Sequence, residues 1–176
     1  VVNVSEFQLK NSTYHTSGEV YALGQQAPDF VLTATDFSEV SLDDYKGKAL
    51  ILNIFPSIDT SICFSSCDKF NALANEEIPV LCISKDLPFA LKRVEEQNQF
   101  KNVRFLSDYR DNFFGELYGL TIIDGPLRGL LAREVIVLDS EHFIMYQDYV
   151  TNISDLPQCE LAIDIMNELK EGVRNE

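Results

Sequence analysis

Tryptophan is absent from the 176 residues, and methionine and histidine occur only twice each. No stretch approaches the roughly 18 consecutive apolar residues of a membrane-spanning helix, so the chain is expected to have no membrane partner. Basic residues are scarce: 14 Lys and Arg stand against 28 Asp and Glu, a formal net charge of -14. That sign opposes non-specific binding to nucleic acid or anionic lipid and mainly serves solubility. Residues 1–6 have no basic region followed by an apolar stretch, the pattern of a secretory signal, and the chain does not open on Met. Cysteine is sparse too. The four at 63, 67, 82 and 159 are too few and too uneven for a disulfide framework. Zinc is an equally poor fit, because Cys63 and Cys67 lack a second nearby pair and His15 and His142 sit in no ligand spacing. A reducing, cytoplasmic compartment with one or two working thiols fits better. The Asn-x-Ser/Thr triplets at Asn3, Asn11 and Asn152 carry meaning only in a glycosylated, secreted protein.

What is present is the composition of a globular domain, 45% hydrophobic and 24% charged, long enough to bury an ordinary core. Residues 1–23 alternate polar and apolar around Lys10-Asn11-Ser12, which predicts an N-terminal hairpin on the outside of one domain spanning 1–176. Phe30–Ala34 reads as a short strand and Ser41–Tyr45 as a helical turn. Ala49–Phe55, Ile78–Ser84 and Val103–Ser107 are apolar strands; helices are expected over about 63–76, 86–99 and 112–118. Asp86 and Pro88 look like the capping residues of the second helix. Residues 119–131 read as loop. Glu134–Asp139 and Phe143–Val150 form an antiparallel pair, followed by a last helix from Pro157 to Lys170. That helix carries Leu161, Ile165 and Leu169 on one face and is closed by Gly172. Strand and helix alternate, which predicts an α/β mixed sheet with helices on both faces.

One stretch organises the rest. The buried strand ending at Phe55 stops at Pro56, passes a polar loop and enters a helix near Thr60 whose apolar face is Cys63, Cys67, Phe70 and Ala74. Cys63 therefore sits in the first helical turn at the carboxyl end of a central strand. Unpaired amides and the positive end of the helix dipole there favour a thiolate, the nucleophilic form. The competing reading makes Cys63 a small buried hydrophobe, Thr60 a plain N-cap, Pro56 a strand terminator and Arg133 a surface residue at a strand edge.

Pro56-Ser-Ile-Asp-Thr60-Ser-Ile-Cys63 resembles the Pro-x-x-x-Thr-x-x-Cys motif of peroxiredoxins. Leu52–Thr60, Val80–Ser84 with Asp86–Ala90, and Asp124-Gly-Pro-Leu with Leu131-Ala-Arg133 are similar to the thiol peroxidase branch, the atypical two-cysteine peroxiredoxins. The resemblance spans about Gln25 to Leu169. It implies a thioredoxin-like fold, peroxide reduction without a cofactor, a thioredoxin-like or other thiol reductant, and a homodimer. Carried over by position, Cys63 is the peroxidatic cysteine, attacking the O–O bond to give a sulfenic acid. Thr60 sets its hydroxyl beside the sulfur, Pro56 shields the pocket, and Arg133 stabilises the thiolate and the leaving oxygen.

The chain departs from the pattern where the resolving cysteine is expected: that position, after Arg93-Val94, holds Glu95. A carboxylate forms no disulfide. Cys67 is the candidate substitute, although helical i, i+4 pairs hold their Cβ atoms about 5–6 Å apart and a disulfide needs about 3.8 Å. The first turn must unwind for that bond to form. A core role for Cys67 competes with this one. Cys82 is expected buried, Cys159 useful only if partly exposed, and direct reduction by an external thiol is the remaining route. A non-catalytic thioredoxin-like sensing or binding module is the alternative function. Disulfide exchange is disfavoured, since three residues, not two, separate Cys63 from Cys67.

Overall fold

The computed structural model describes residues 4–174; residues 1–3, the start of the expected hairpin extension, lie outside the described residues. Strands β1 (Glu6–Leu9) and β2 (Ser12–His15) form the N-terminal hairpin, turning through Lys10 at a positive φ of 55°. The hairpin is less external than its alternation suggests. Phe7 is buried in the main core, Gln8 exchanges backbone bonds with Thr151 and Ile153, and His15 is held by Asp124 at 2.7 Å.

The central sheet has seven strands in the order β4-β3-β7-β6-β5-β8-β9. They are β3 (Val31–Ala34), β4 (Glu39–Ser41), β5 (Leu50–Ile54), β6 (Val80–Ser84), β7 (Arg104–Ser107), β8 (Glu134–Leu138) and β9 (Ile144–Tyr149). β5, β6 and β7 are parallel neighbours, and β8 joins β5 antiparallel. Strands β5, β6 and β8 are buried at every position, which is why they read as near-continuous apolar runs. β4 was not expected. It has three residues, too few to display a period of two, and is fixed by pairing with β3. The turn after it is a 3-10 turn, Leu42–Tyr45, started by a reciprocal Ser41–Asp44 capping box.

Alternation along the strands sorts the core into two layers. Ile51, Phe55, Val80, Cys82, Val135 and Val137 face a layer built with helices α1 (Ser61–Leu73), α2 (Pro88–Asn98) and α4 (Cys159–Arg174). Leu50, Leu52, Ile54, Leu81, Ile83 and Ile136 face a second layer with Phe7 and the short helix α3 (Phe113–Leu117). Helices thus cover both faces, as expected. Two features of α4 differ from the sequence reading. Gly172 lies inside the helix, and the buried stripe is Cys159, Ala162, Ile163 and Met166, with Leu161 exposed. Ile165 and Leu169 pack half-buried at the edge of that stripe, so of the expected face only Leu161 turns away from the core. Among the described residues no helix is long and apolar enough to cross a membrane.

Candidate active site

β5 ends at Ile54, and its parallel neighbour β6 ends at the same edge with Ser84. Carboxyl ends of adjacent parallel strands open a crevice where loops can meet a ligand. The chain leaves β5 through buried Pro56, crosses Ser57–Asp59 and starts α1. Thr60 is the N-cap: its hydroxyl accepts from the Cys63 amide at 3.2 Å and donates to the Ser57 carbonyl at 3.2 Å. The contact of Thr60 is thus with the Cys63 backbone. Cys63 is the third residue of the helix, with its sulfur fully buried at the end where amides and dipole favour negative charge.

β8 runs antiparallel to β5 with Ile54 opposite Glu134, so Arg133, just before β8, arrives beside the carboxyl end of β5. Its Nη2 lies 3.4 Å from Cys63 Sγ, although 70 positions separate the two in sequence. The guanidinium is anchored by Nε and Nη2, which donate to the Ile153 carbonyl at 3.1 and 3.0 Å. Arg133 is only 3% exposed, and its Nη1 is buried without a hydrogen-bond partner among the described residues. A buried, permanently charged donor of this kind is costly unless something anionic or strongly accepting completes it. The sulfur supplies part of that partner.

The loop carrying Pro56 to Thr60 is held from the side by Asp86, which sequence pattern had assigned to capping α2. Instead α2 starts with Leu87 and Pro88 and has no side-chain cap. The Asp86 carboxylate accepts from Ser57 Oγ at 2.9 Å, the Ile58 amide at 2.8 Å and Ser84 Oγ at 2.6 Å. A salt bridge at 3.8 Å from Arg93 to Asp59 adds an exposed tie to α2. The capping pattern was real in type and misleading in partner: Asp86 closes a turn in space, not in sequence.

One turn below Cys63, Cys67 is fully buried, and burial above all, then the neighbouring Cys82 thiol, pushes its thiol well above the usual range. Asn53, the one polar residue in the β5 run, points from the sheet to the underside of α1. Its Nδ2 is 3.2 Å from Ser66 Oγ and 3.7 Å from both Cys67 Sγ and Cys82 Sγ. Ser66 in turn donates to the Cys63 carbonyl at 2.7 Å. A polar residue inside an apolar strand was the available signal for Asn53. Cys159 does not meet the condition of partial exposure: it is fully buried, with its thiol pushed up to about 12, first by burial and then by Glu160. Glu95 sits half-buried on α2, and burial, followed by Glu96, raises its carboxyl above the ordinary value.

The Redoxin family matches residues 22–163. A thiol peroxidase of Mycobacterium tuberculosis is 42% identical over 161 residues, covering 91% of this chain and 97% of the relative. A thiol peroxidase of Corynebacterium glutamicum is 44% identical over 154 residues, covering 86% and 93%. In three dimensions the chain is similar to a peroxiredoxin-like protein from Aquifex aeolicus, with a TM-score of 0.88 at 30% identity, covering 95% and 99% of the two chains. With a buried cysteine at a capped helix start, an arginine on its sulfur and relatives of this similarity over nearly the whole length, the chain belongs to the Redoxin family and, within it, to the thiol peroxidases.

Proposed function

We propose that the chain reduces hydroperoxides at Cys63 with electrons drawn from thiols. The observation that carries this reading is the 3.4 Å contact between Arg133 Nη2 and Cys63 Sγ at the N-terminus of α1. The Cys63 thiolate attacks the terminal oxygen of the peroxide. An S–O bond forms, the O–O bond breaks, and the departing oxygen leaves as water or an alcohol after taking a proton. Negative charge moves from sulfur to the leaving oxygen in this step. A fixed guanidinium with Nη2 on the sulfur and Nη1 unpaired can follow that charge without reorganising. Thr60 positions the site by fixing the Cys63 amide, and buried Pro56 ends the strand that delivers the loop.

Resolution falls to Cys67, whose thiol displaces water from the sulfenic acid to give a Cys63–Cys67 disulfide, with direct attack of an external thiol on the sulfenic acid as the alternative route. The Ser66 bond to the Cys63 carbonyl and the Thr60 cap must open for this, since both belong to the turn that unwinds. An external dithiol of thioredoxin type then restores both thiols. Four free cysteines are in keeping with a reducing, cytoplasmic setting, and a homodimer is the expected assembly. A non-catalytic module has no use for a buried arginine on a buried sulfur.

The test is a millisecond quench of the reduced protein with one equivalent of hydrogen peroxide in the presence of a sulfenic-acid trap. The adduct is expected on Cys63. An adduct spread over all four cysteines, formed on the timescale of free thiols, overturns the assignment.

A further inference from the structure

We infer that Cys67 and Cys82 form a second redox pair beneath the peroxidatic site, which takes the oxidising equivalent from Cys63 and stores it as a Cys67–Cys82 disulfide. The inference rests on Cys63 being the residue that meets peroxide. It goes beyond that reading in giving Cys82 a task and in ending the reaction on a bond that omits Cys63.

Cys82 lies on β6 in direct register with Asn53 of β5. Both side chains stand on the sheet face under α1, in the layer that contains Cys63 and Cys67. One amide nitrogen of Asn53 reaches the sulfurs of Cys67 and Cys82 at 3.7 Å each, so they are gathered around a single donor. Its Oδ1 is buried without a hydrogen-bond partner among the described residues, a spare acceptor on the same side chain. The pair also differs in kind from Cys63–Cys67. Those two share one helix, where regular geometry holds Cβ atoms about 5–6 Å apart and the bond demands unwinding. Cys67 and Cys82 come from a helix and a strand packed face to face, so a bond between them pins α1 to the sheet and leaves its helical hydrogen bonds intact.

Cys63–SOH and Cys67–SH give Cys63–S–S–Cys67 and water. Cys82, losing its proton to water admitted by the open turn, attacks the Cys67 sulfur. The Cys63–Cys67 bond breaks and Cys63 departs as a thiolate. Thiol–disulfide exchange favours the better-stabilised leaving thiolate, and Cys63 is the sulfur that faces the Arg133 cation. The products are a Cys67–Cys82 disulfide and a reduced Cys63 that can re-form its helical turn. Burial holds Cys67 as a thiol until the turn opens, so it does not compete for peroxide. An external dithiol later reduces the stored disulfide. Cys159 takes no part, its thiol being directed to the Pro157 carbonyl at 3.6 Å.

The wild-type chain is treated with one equivalent of hydrogen peroxide, alkylated after a few seconds under denaturing conditions, digested without reduction and mapped by mass spectrometry. Two of the four thiols are expected to be lost, with a Cys67–Cys82 cross-linked peptide and Cys63 recovered alkylated. A second equivalent should then be consumed at the first-equivalent rate, leaving the sulfenic acid on Cys63. In Cys82→Ser the cross-link should shift to Cys63–Cys67 and the second equivalent should go unconsumed. A wild-type product that is only Cys63–Cys67, or a Cys63 oxyacid with Cys82 still alkylable, overturns the relay while leaving the peroxidase reading intact. A Cys67–Cys82 cross-link formed equally fast in Cys63→Ser overturns the peroxidase reading itself. The wild-type mapping and stoichiometry decide the matter even where Cys82→Ser fails to fold.

Discussion

Arg133→Met tests the electrostatic heart of the site. The substitution keeps a long, flexible apolar stem and removes the cation 3.4 Å from Cys63 Sγ together with both bonds to the Ile153 carbonyl. A hydrogen bond to a charged group contributes about 1.5–3 kcal/mol. If that interaction strengthens as charge moves onto the leaving oxygen, its loss slows Cys63 oxidation by about 10- to 150-fold, at 1.36 kcal/mol per factor of ten. Arg133→Lys retains a charge but cannot grip Ile153 and face the sulfur in one plane, so it should fall between the two. With no tryptophan in the chain, intrinsic indole fluorescence is not available as a reporter. The second-order rate is better measured by quenched-flow thiol labelling or by competition for peroxide. The Ile153 carbonyl is left without its donor, which costs stability on the order of 1–3 kcal/mol, so the fold is checked in parallel by circular dichroism. A folded Arg133→Met that is oxidised at the wild-type rate refutes the reasoning.

Asp86→Asn keeps the shape and weakens three acceptor contacts to Ser57, Ile58 and Ser84; oxidation of Cys63 should slow several-fold while thermal unfolding moves down by a few degrees. An unchanged rate would show that the loop needs no such anchor. Glu134 provides a pH test. It is buried on β8, and burial pushes its carboxyl up to about 8, against a small opposing bond from Gln147. Because the folded value lies above the unfolded one, the contribution of Glu134 to stability is fully present below about 4.5 and is lost as pH rises towards about 8. Glu134→Gln removes that slope, so the difference in urea midpoint between variant and wild type should widen by the equivalent of a few kcal/mol between pH 5 and pH 8. Parallel midpoints across that range would contradict it.

The parts of this structure that follow from local chemistry were readable from residues alone. The buried strands around Leu50–Ile54, Val80–Ser84 and Glu134–Leu138 are apolar runs interrupted by at most one polar residue each, and Thr60 followed by the Cys63–Cys67–Phe70–Ala74 stripe marks a capped helix. Arg133 was reached through resemblance to a family, because nothing local ties it to a residue 70 positions away. What escaped depends on register and partner choice. Asn53 meets Cys82 only through the parallel pairing of β5 with β6, and Asp86 bonds a loop 28 residues earlier in place of its own helix. Leu161 misled for the same reason. Hydrophobicity named it a core residue, while the angle at which α4 lies on the sheet selects Ala162, Ile163 and Met166.

Peroxide reduction is assigned to one sulfur, that of Cys63. The most direct measurement compares steady-state hydroperoxide consumption by wild type and Cys63→Ser, with a thioredoxin-type dithiol as reductant. Wild type should turn over, and Cys63→Ser should consume peroxide no faster than the reductant alone. Turnover retained in Cys63→Ser would place the peroxide chemistry elsewhere than on Cys63.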